Sequence, residues 1–293
     1  MRNSVAFIGF AFKVAVVCLL STASATDAIE EGIEEEDFLL KPHDSHTFHG
    51  GIICEVASSY LASSGSLCDT RPVTSQEIDF MWKFGDYGWI DGYAWGISSL
   101  HDSQKDTHRE IFHEFESSIR YGYEWRIFQQ VSLRSSLGPL WNPQIGYPDD
   151  HNNYWGPIIN QSLENPYVTP YYNLLWLLEP AKRGRARIGI RRSFDIVEDI
   201  ALKIFAETVW SDHRRYTAKY GAAPERAFLN GAFSTERVGV QLRWRLNDSL
   251  SAYVQVQQFK VFGDQARSAV KKSSAYYAKT DWVLGSFGFE YVF

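Results

Sequence analysis

The segment Arg237-Val238-Gly239-Val240-Gln241-Leu242-Arg243-Trp244-Arg245-Leu246 decides the fold. Val238, Val240, Leu242, Trp244 and Leu246 occupy alternate positions, with Arg237, Gly239, Gln241, Arg243 and Arg245 between them. A period of two is the repeat of a strand, whose successive side chains point to opposite faces, whereas a helix would scatter these arginines round its circumference. Asn247-Asp248 supply a tight turn. Leu250, Ala252, Val254 and Val256 then alternate with Ser251, Tyr253, Gln255 and Gln257 on a return strand. One face of this hairpin carries too much charge for a dry core, and the other too much Trp, Leu and Val for water. Lipid outside and an enclosed aqueous interior satisfy both.

The same alternation runs through the chain from Gly50. Ile78, Phe80, Trp82 and Phe84 share a face opposite Glu77, Asp79 and Lys83, and the Gly85-Asp86-Tyr87-Gly88 turn leads into a strand over 89–100. Strands are also expected over 51–63, 111–121 and 125–137 around a Gly122-Tyr123-Glu124 turn, 155–163, 168–178, 185–191, 200–210 and 281–293. That makes twelve, an all-β transmembrane antiparallel up-and-down barrel whose even strand number returns both ends to one side. Tight turns near 86, 123, 197 and 247 contrast with longer connections at 101–109, 142–154, 211–229 and 263–276, the asymmetry of short periplasmic turns and long external loops. A soluble sandwich also alternates, but it must pack its inner face dry.

The remaining segments fit that frame. Residues 1–25 read as an export signal: Arg2 is positive, 5–20 is an almost unbroken apolar run, and Ala23-Ser24-Ala25 supply small residues for cleavage before Thr26. An uncleaved helical anchor is the other reading of the same run. Residues 26–49 read as an acidic periplasmic tail and 50–293 as the barrel. His43, His46 and His49, with Asp44, have no Cys among them and no familiar ligand spacing, so a polar linker is expected and no metal. Beyond the signal no apolar run approaches the roughly 20 residues of a spanning helix; the longest is Leu174-Leu175-Trp176-Leu177-Leu178. The formal net charge of −6 becomes more acidic once Arg2 and Lys13 leave with the signal, which argues against nucleic-acid binding. Cys54 and Cys68 are expected to be unbonded, because Cys68 falls beyond the far end of the strand that Cys54 begins.

The final strand places Val283, Phe287, Phe289, Tyr291 and Phe293 on one face and stops on Phe293. This resembles the terminal assembly signal of Gram-negative outer-membrane β-barrel proteins, in which aromatic residues alternate up to a final Phe or Trp. Over 50–293 the chain is similar to the small porin type. The resemblance implies outer-membrane lipid and the barrel-assembly machinery as partners, with Phe289, Tyr291 and Phe293 forming the signal. It brings no catalytic or binding motif.

If alternate residues face inward, Glu77, Asp79, Glu110, Glu114 and Glu116 stand on the second and fourth strands. Arg126, Arg134, Arg185, Arg187, Arg191, Arg237, Arg243 and Arg245 stand on the fifth, eighth and tenth. Acid and base would then line different walls and set up a field across the passage. Small polar solutes are the expected cargo, with an anion preference from the planar guanidinium forks. The same charges could instead pair and close a narrow barrel. Two other classes stay open. A closed structural or adhesive barrel would act through external loops such as 142–167, rich in Trp and Tyr, and 211–229. A barrel hydrolase would need a catalytic constellation: His101, His108, His113 and His151 lack the Ser neighbourhood of barrel phospholipases, and Asp149-Asp150-His151 and Asp212-His213 only faintly echo omptin-like proteases. No enzyme activity is therefore expected. Phosphate loops, zinc-type Cys spacings and nucleotide fingerprints are absent from the sequence, and no cofactor is expected.

Overall fold

An alternating strand leaves half of its side chains to each face, so a sheet built only of such strands buries neither face until it closes on itself. That closure is what the computed structural model of this chain shows. It describes residues 47–62, 66–69, 71–100, 112–143, 153–178, 183–213, 231–261, 263–272 and 279–293. The segments read above as an export signal and, but for its last residues, an acidic tail lie outside these residues, as do His43 and His46.

The strands are β1 (Phe48–Ala57), β2 (Tyr60–Ala62), β3 (Ser66–Asp69), β4 (Val73–Lys83), β5 (Trp89–Ser99), β6 (Phe112–Phe128), β7 (Val131–Pro143) and β8 (Asn153–Glu164). They continue with β9 (Thr169–Leu177), β10 (Arg183–Val197), β11 (Ile200–Asp212), β12 (Gly231–Asn247), β13 (Leu250–Val261) and β14 (Asp281–Val292). Among the described residues β2 and β3 pair only with each other. The other twelve form a closed barrel in which each strand pairs antiparallel with its chain neighbour, and β1 joins β14 to β4. Tight connections follow β4, β6, β8, β10 and β12, all at the end where β1 starts and β14 stops. The connections at the opposite end include the β2–β3 hairpin and a helix, α1 (Asp264–Lys272). The expected class and strand number both hold.

Several boundaries differ from expectation; the strand expected over 51–63 ends at Ala57, and Tyr60–Ala62 pair instead with Ser66–Asp69. The turn foreseen at Gly122-Tyr123-Glu124 does not exist: β6 runs straight through, and the chain reverses at Gln129-Gln130. Gly122 is there for packing, since a Cβ at this position would lie 2.1 Å from the indole of Trp89 on the adjacent strand. The connection over 263–276 was expected to be a loop, yet α1 occupies its first part. Cys54 is free and exposed on the outward face.

Outward-facing residues are arranged for lipid. Ile78, Ile119, Leu137, Ile188, Val240 and Val256 are exposed in the middle of the wall. Trp141, Trp155 and Trp176 band the loop end, and Trp82, Tyr121, Trp125, Tyr291 and Phe293 band the turn end. Apolar belts flanked by aromatic girdles are the pattern of a membrane-embedded barrel. Among the described residues no helix is long and apolar enough to cross a membrane; the strands are what span it. Val240, 42% exposed, sits midway along β12. Replacing Val240 by Arg is expected to destabilise the barrel by about 2–4 kcal/mol, measured by reversible unfolding in detergent or lipid. Arg at Val238, on the same face of β12, should behave alike, whereas no loss at either position would mean that this face does not meet lipid.

Candidate functional site

The inward face has two zones. At the loop end three sectors of it are apolar, while β10 and β11 place the buried Arg185 and Ser211 there: Val73, Ile97, Leu140, Ile158, Leu175, Leu177, Phe259, Val261 and Leu284 are almost completely buried. They form three clusters, on β4–β5, on β7–β9 and on β13–β14 with α1. This departs from an interior expected to be polar throughout. These residues share the parity of the lumen charges, but they sit where β4 and β14 begin and where β5, β7, β9 and β13 end, so the interior changes character along its axis.

Below this collar the lining is charged. On β11, Glu207 lies between two guanidinium groups, 2.7 Å from Arg237 on β12 and 3.4 Å from Arg187 on β10. It also accepts a 2.8 Å hydrogen bond from the Tyr171 hydroxyl on β9. The Tyr171 ring reaches it by crossing Gly189, where a Cβ would lie 2.6 Å from the ring. Arg237 in turn covers the Phe205 ring, 5.5 Å from its centroid. Three strands thus brace one carboxylate, and the glycine between them is what lets the ring lie flat.

On the facing wall, Glu116 accepts hydrogen bonds from the Tyr93 hydroxyl at 2.5 Å and the Asn142 amide at 3.3 Å. Arg187 on β10 stands four strands from Glu116 on β6 round the ring of twelve. Glu77 and Asp79 face inward from β4, beside Ile53 and Gly51 of β1. Both Asp79 carboxylate oxygens are buried and have no hydrogen-bond partner among the described residues. Glu55 accepts from Tyr253 at 2.9 Å and from Ser286 at 3.0 Å, the Tyr253 ring crossing Gly288 to do so.

The other sequence-predicted residues are distributed unevenly. Arg134 lies over the Trp89 ring and 3.8 Å from Glu124, Arg191 is 3.5 Å from Glu164, and Arg243 is 2.5 Å from Glu290. Arg185 is buried near the start of β10. Arg245 belongs to the turn end, held by Asp199 at 3.0 Å and by the Glu198 carbonyl. Arg126 is exposed near the same end of β6. Glu110 lies outside the described residues, and of Glu114 only the backbone, on β6, is described. The separation of acid from base is therefore incomplete: Glu164, Glu207 and Glu290 stand within the arginine wall, and Arg120 stands on the acidic side, 2.5 Å from Asp91. Sequence reasoning passed over Glu207, Glu290, Asp91, Arg120 and Tyr171. Each lies on a recognised strand at inward parity, so extending the alternation to every strand would have found them.

Among the described residues no group of three or more His, Cys, Asp or Glu is placed to hold a metal ion. Asp212, half of one faint protease echo, is committed to the backbone N–H of Gly184 at 2.8 Å.

A closed twelve-stranded barrel with a lipid-facing belt, aromatic bands and a charged interior defines a transmembrane antiparallel β-barrel. No protein-family model matches the chain, and neither does any curated protein. Among solved structures it is similar to the KdgM porin, at 10% identity over 84% of this chain and 99% of that one, with a TM-score of 0.44. It is similar to the COG4313 outer membrane channel from Pseudomonas putida F1, at 9% identity over 87% and 100%, with a TM-score of 0.46. It is also similar to outer membrane phospholipase A from Escherichia coli, at 12% identity over 87% and 94%, with a TM-score of 0.46.

Proposed function

We propose that the protein is a passive outer-membrane channel for small polar solutes, selected where Arg187 and Arg237 face Glu77 and Glu116 across the interior. The observation that carries this reading is the direction of the charged contacts. Glu207, Glu116, Glu290, Glu164 and Glu55 are each held by residues one or two strands away along their own wall. Such bonds draw side chains along the wall and away from the axis. A solute between the two walls meets fixed guanidinium donors on one side and carboxylates on the other, an arrangement that orders water and orients dipolar solutes. An anion preference belongs to the same reading, because two guanidinium forks flank one carboxylate at Glu207, and such forks suit carboxylate and sulfate groups. The acids opposite keep that preference modest.

Planar-bilayer conductance and liposome swelling test this. The expected results are stepwise conductance, uptake of small sugars, and a shift of about twofold in the anion-to-cation permeability ratio when Arg187 or Arg237 is changed to Gln. An intact barrel that passes nothing, or an unchanged ratio in both variants, would return the arginines to a purely structural role. A second reading, a barrel closed at its external end, is favoured by the burial of the apolar collar. It predicts no swelling.

A further inference from the structure

Within this channel reading, the structure assigns to α1 the role of a removable stopper: the helix docks on the inward face of β13 and β14 and narrows the external mouth. Gly263 ends the climb of β13 with φ of 83°, a conformation that a side chain would disfavour. The chain then turns into a helix, and the Arg267 N–H donates to the Gly263 carbonyl at 3.0 Å. Asp264 in the first turn and Lys271 and Lys272 in the last suit the helix dipole.

Ala266, Ala269 and Val270 repeat at three- and four-residue spacing and so form one face. That face packs against Phe259, Val261, Leu284, Trp282 and Ala232. The first four of these point into the barrel: Phe259 pairs with Arg237 and Trp282, and Leu284 with Gln257, whereas the neighbouring Val256 and Val283 are exposed to the outside. The helix is therefore inside the rim, with Ser268, Lys271 and Lys272 exposed on its other side.

Size makes the position consequential. Small barrels of about eight strands are filled by side chains alone, and aqueous channels are typical of about sixteen. At twelve strands a helix of roughly 10 Å diameter takes up much of the opening. On the helix side two alanines and a valine supply the apolar contact. Docking by so few small side chains suits a segment that leaves the mouth and returns.

Two variants act on the helix without touching a strand. Val270→Asp places a charge in the docked face. Replacement of residues 264–272 by a Gly-Ser segment of equal length removes the helix. Both are compared with the unaltered full chain by single-channel conductance and by swelling with a small sugar, after heat-modifiable gel mobility has confirmed a folded barrel. The expected result is a rise of about twofold or more in conductance in both variants, with fewer closures. Conductance in the unaltered protein that neither variant changes would overturn the stopper and leave the channel reading standing. No conductance in any of the three would overturn both. A rise on replacement of the segment but not with Val270→Asp would also overturn the docked-face mechanism, since the apolar contact would then not be what holds the helix.

Discussion

Replacing Glu207 by Ala is expected to destabilise the barrel by about 2–3 kcal/mol and to move its ion selectivity toward anions. The carboxylate is almost fully buried, with 5% of its side chain exposed, and it neutralises Arg187 and Arg237 together while accepting from Tyr171. Removing one partner of a buried ion pair typically costs about 3–5 kcal/mol, because the other charge is stranded. Here the Arg187 and Arg237 side chains keep 27% and 25% exposure, so water can take up part of the loss and the lower figure applies. The two cations would also repel each other across the vacated site. Thermal unfolding followed by gel mobility reads the stability, and reversal potential in a salt gradient reads the selectivity. Glu207→Gln should recover the hydrogen bond but not the charge, giving an intermediate stability with the same shift in selectivity. If Glu207→Ala leaves both readings unchanged, water and not Glu207 is what solvates Arg187 and Arg237.

That expectation shows what could be read from the sequence and what could not. The alternation over 237–257 announces its hairpin because each position votes for the same two faces, and neighbouring strands repeat the vote. The ladder bears it out from Thr235↔Val261 down to Asn247↔Leu250, with a bulge at the turn. Local signals misled where a residue serves a distant neighbour. Gly122 looked like turn chemistry because Gly-Tyr-Glu is polar and contains glycine, yet its small size answers to Trp89 one strand away. The charge braces were illegible for a similar reason. Arg243 and Glu290 are 2.5 Å apart only because β13 lies between their strands in a particular register, and no single strand records that register. The apolar collar has the parity of the lumen charges, and its depth along the barrel axis depends on strand tilt, which is a property of the closed barrel as a whole.

Deleting Phe293 is expected to have the largest effect, severe loss of the folded barrel. This residue closes the seam. The Phe293 N–H donates to the Gly50 carbonyl at 2.9 Å, and the Gly50 N–H donates back to the Phe293 carbonyl at 3.0 Å. The Phe293 ring lies over Gly50, where a Cβ would come within 2.5 Å of it, and stacks on Tyr291 with 6.2 Å between centroids. Two backbone hydrogen bonds at about 1 kcal/mol each and a ring contact of about 1 kcal/mol together amount to a factor on the order of 100 in the closing equilibrium. Phe293→Ala should lose only the ring's share, and Phe293→Trp little. Gly50→Leu tests the same contact from β1, because the ring cannot occupy its place once a side chain is there. Refolding into detergent micelles measures this closing equilibrium alone. The resemblance of Phe289, Tyr291 and Phe293 to a terminal assembly signal gives them a further proposed role before closure, as the sequence that the barrel-assembly machinery recognises. That role predicts that Phe289→Ala, which leaves the Gly50 seam intact, refolds nearly normally in micelles yet is depleted from the membrane of cells. Equal yields in micelles and in cells for every variant would confine these aromatics to the seam and the lipid boundary.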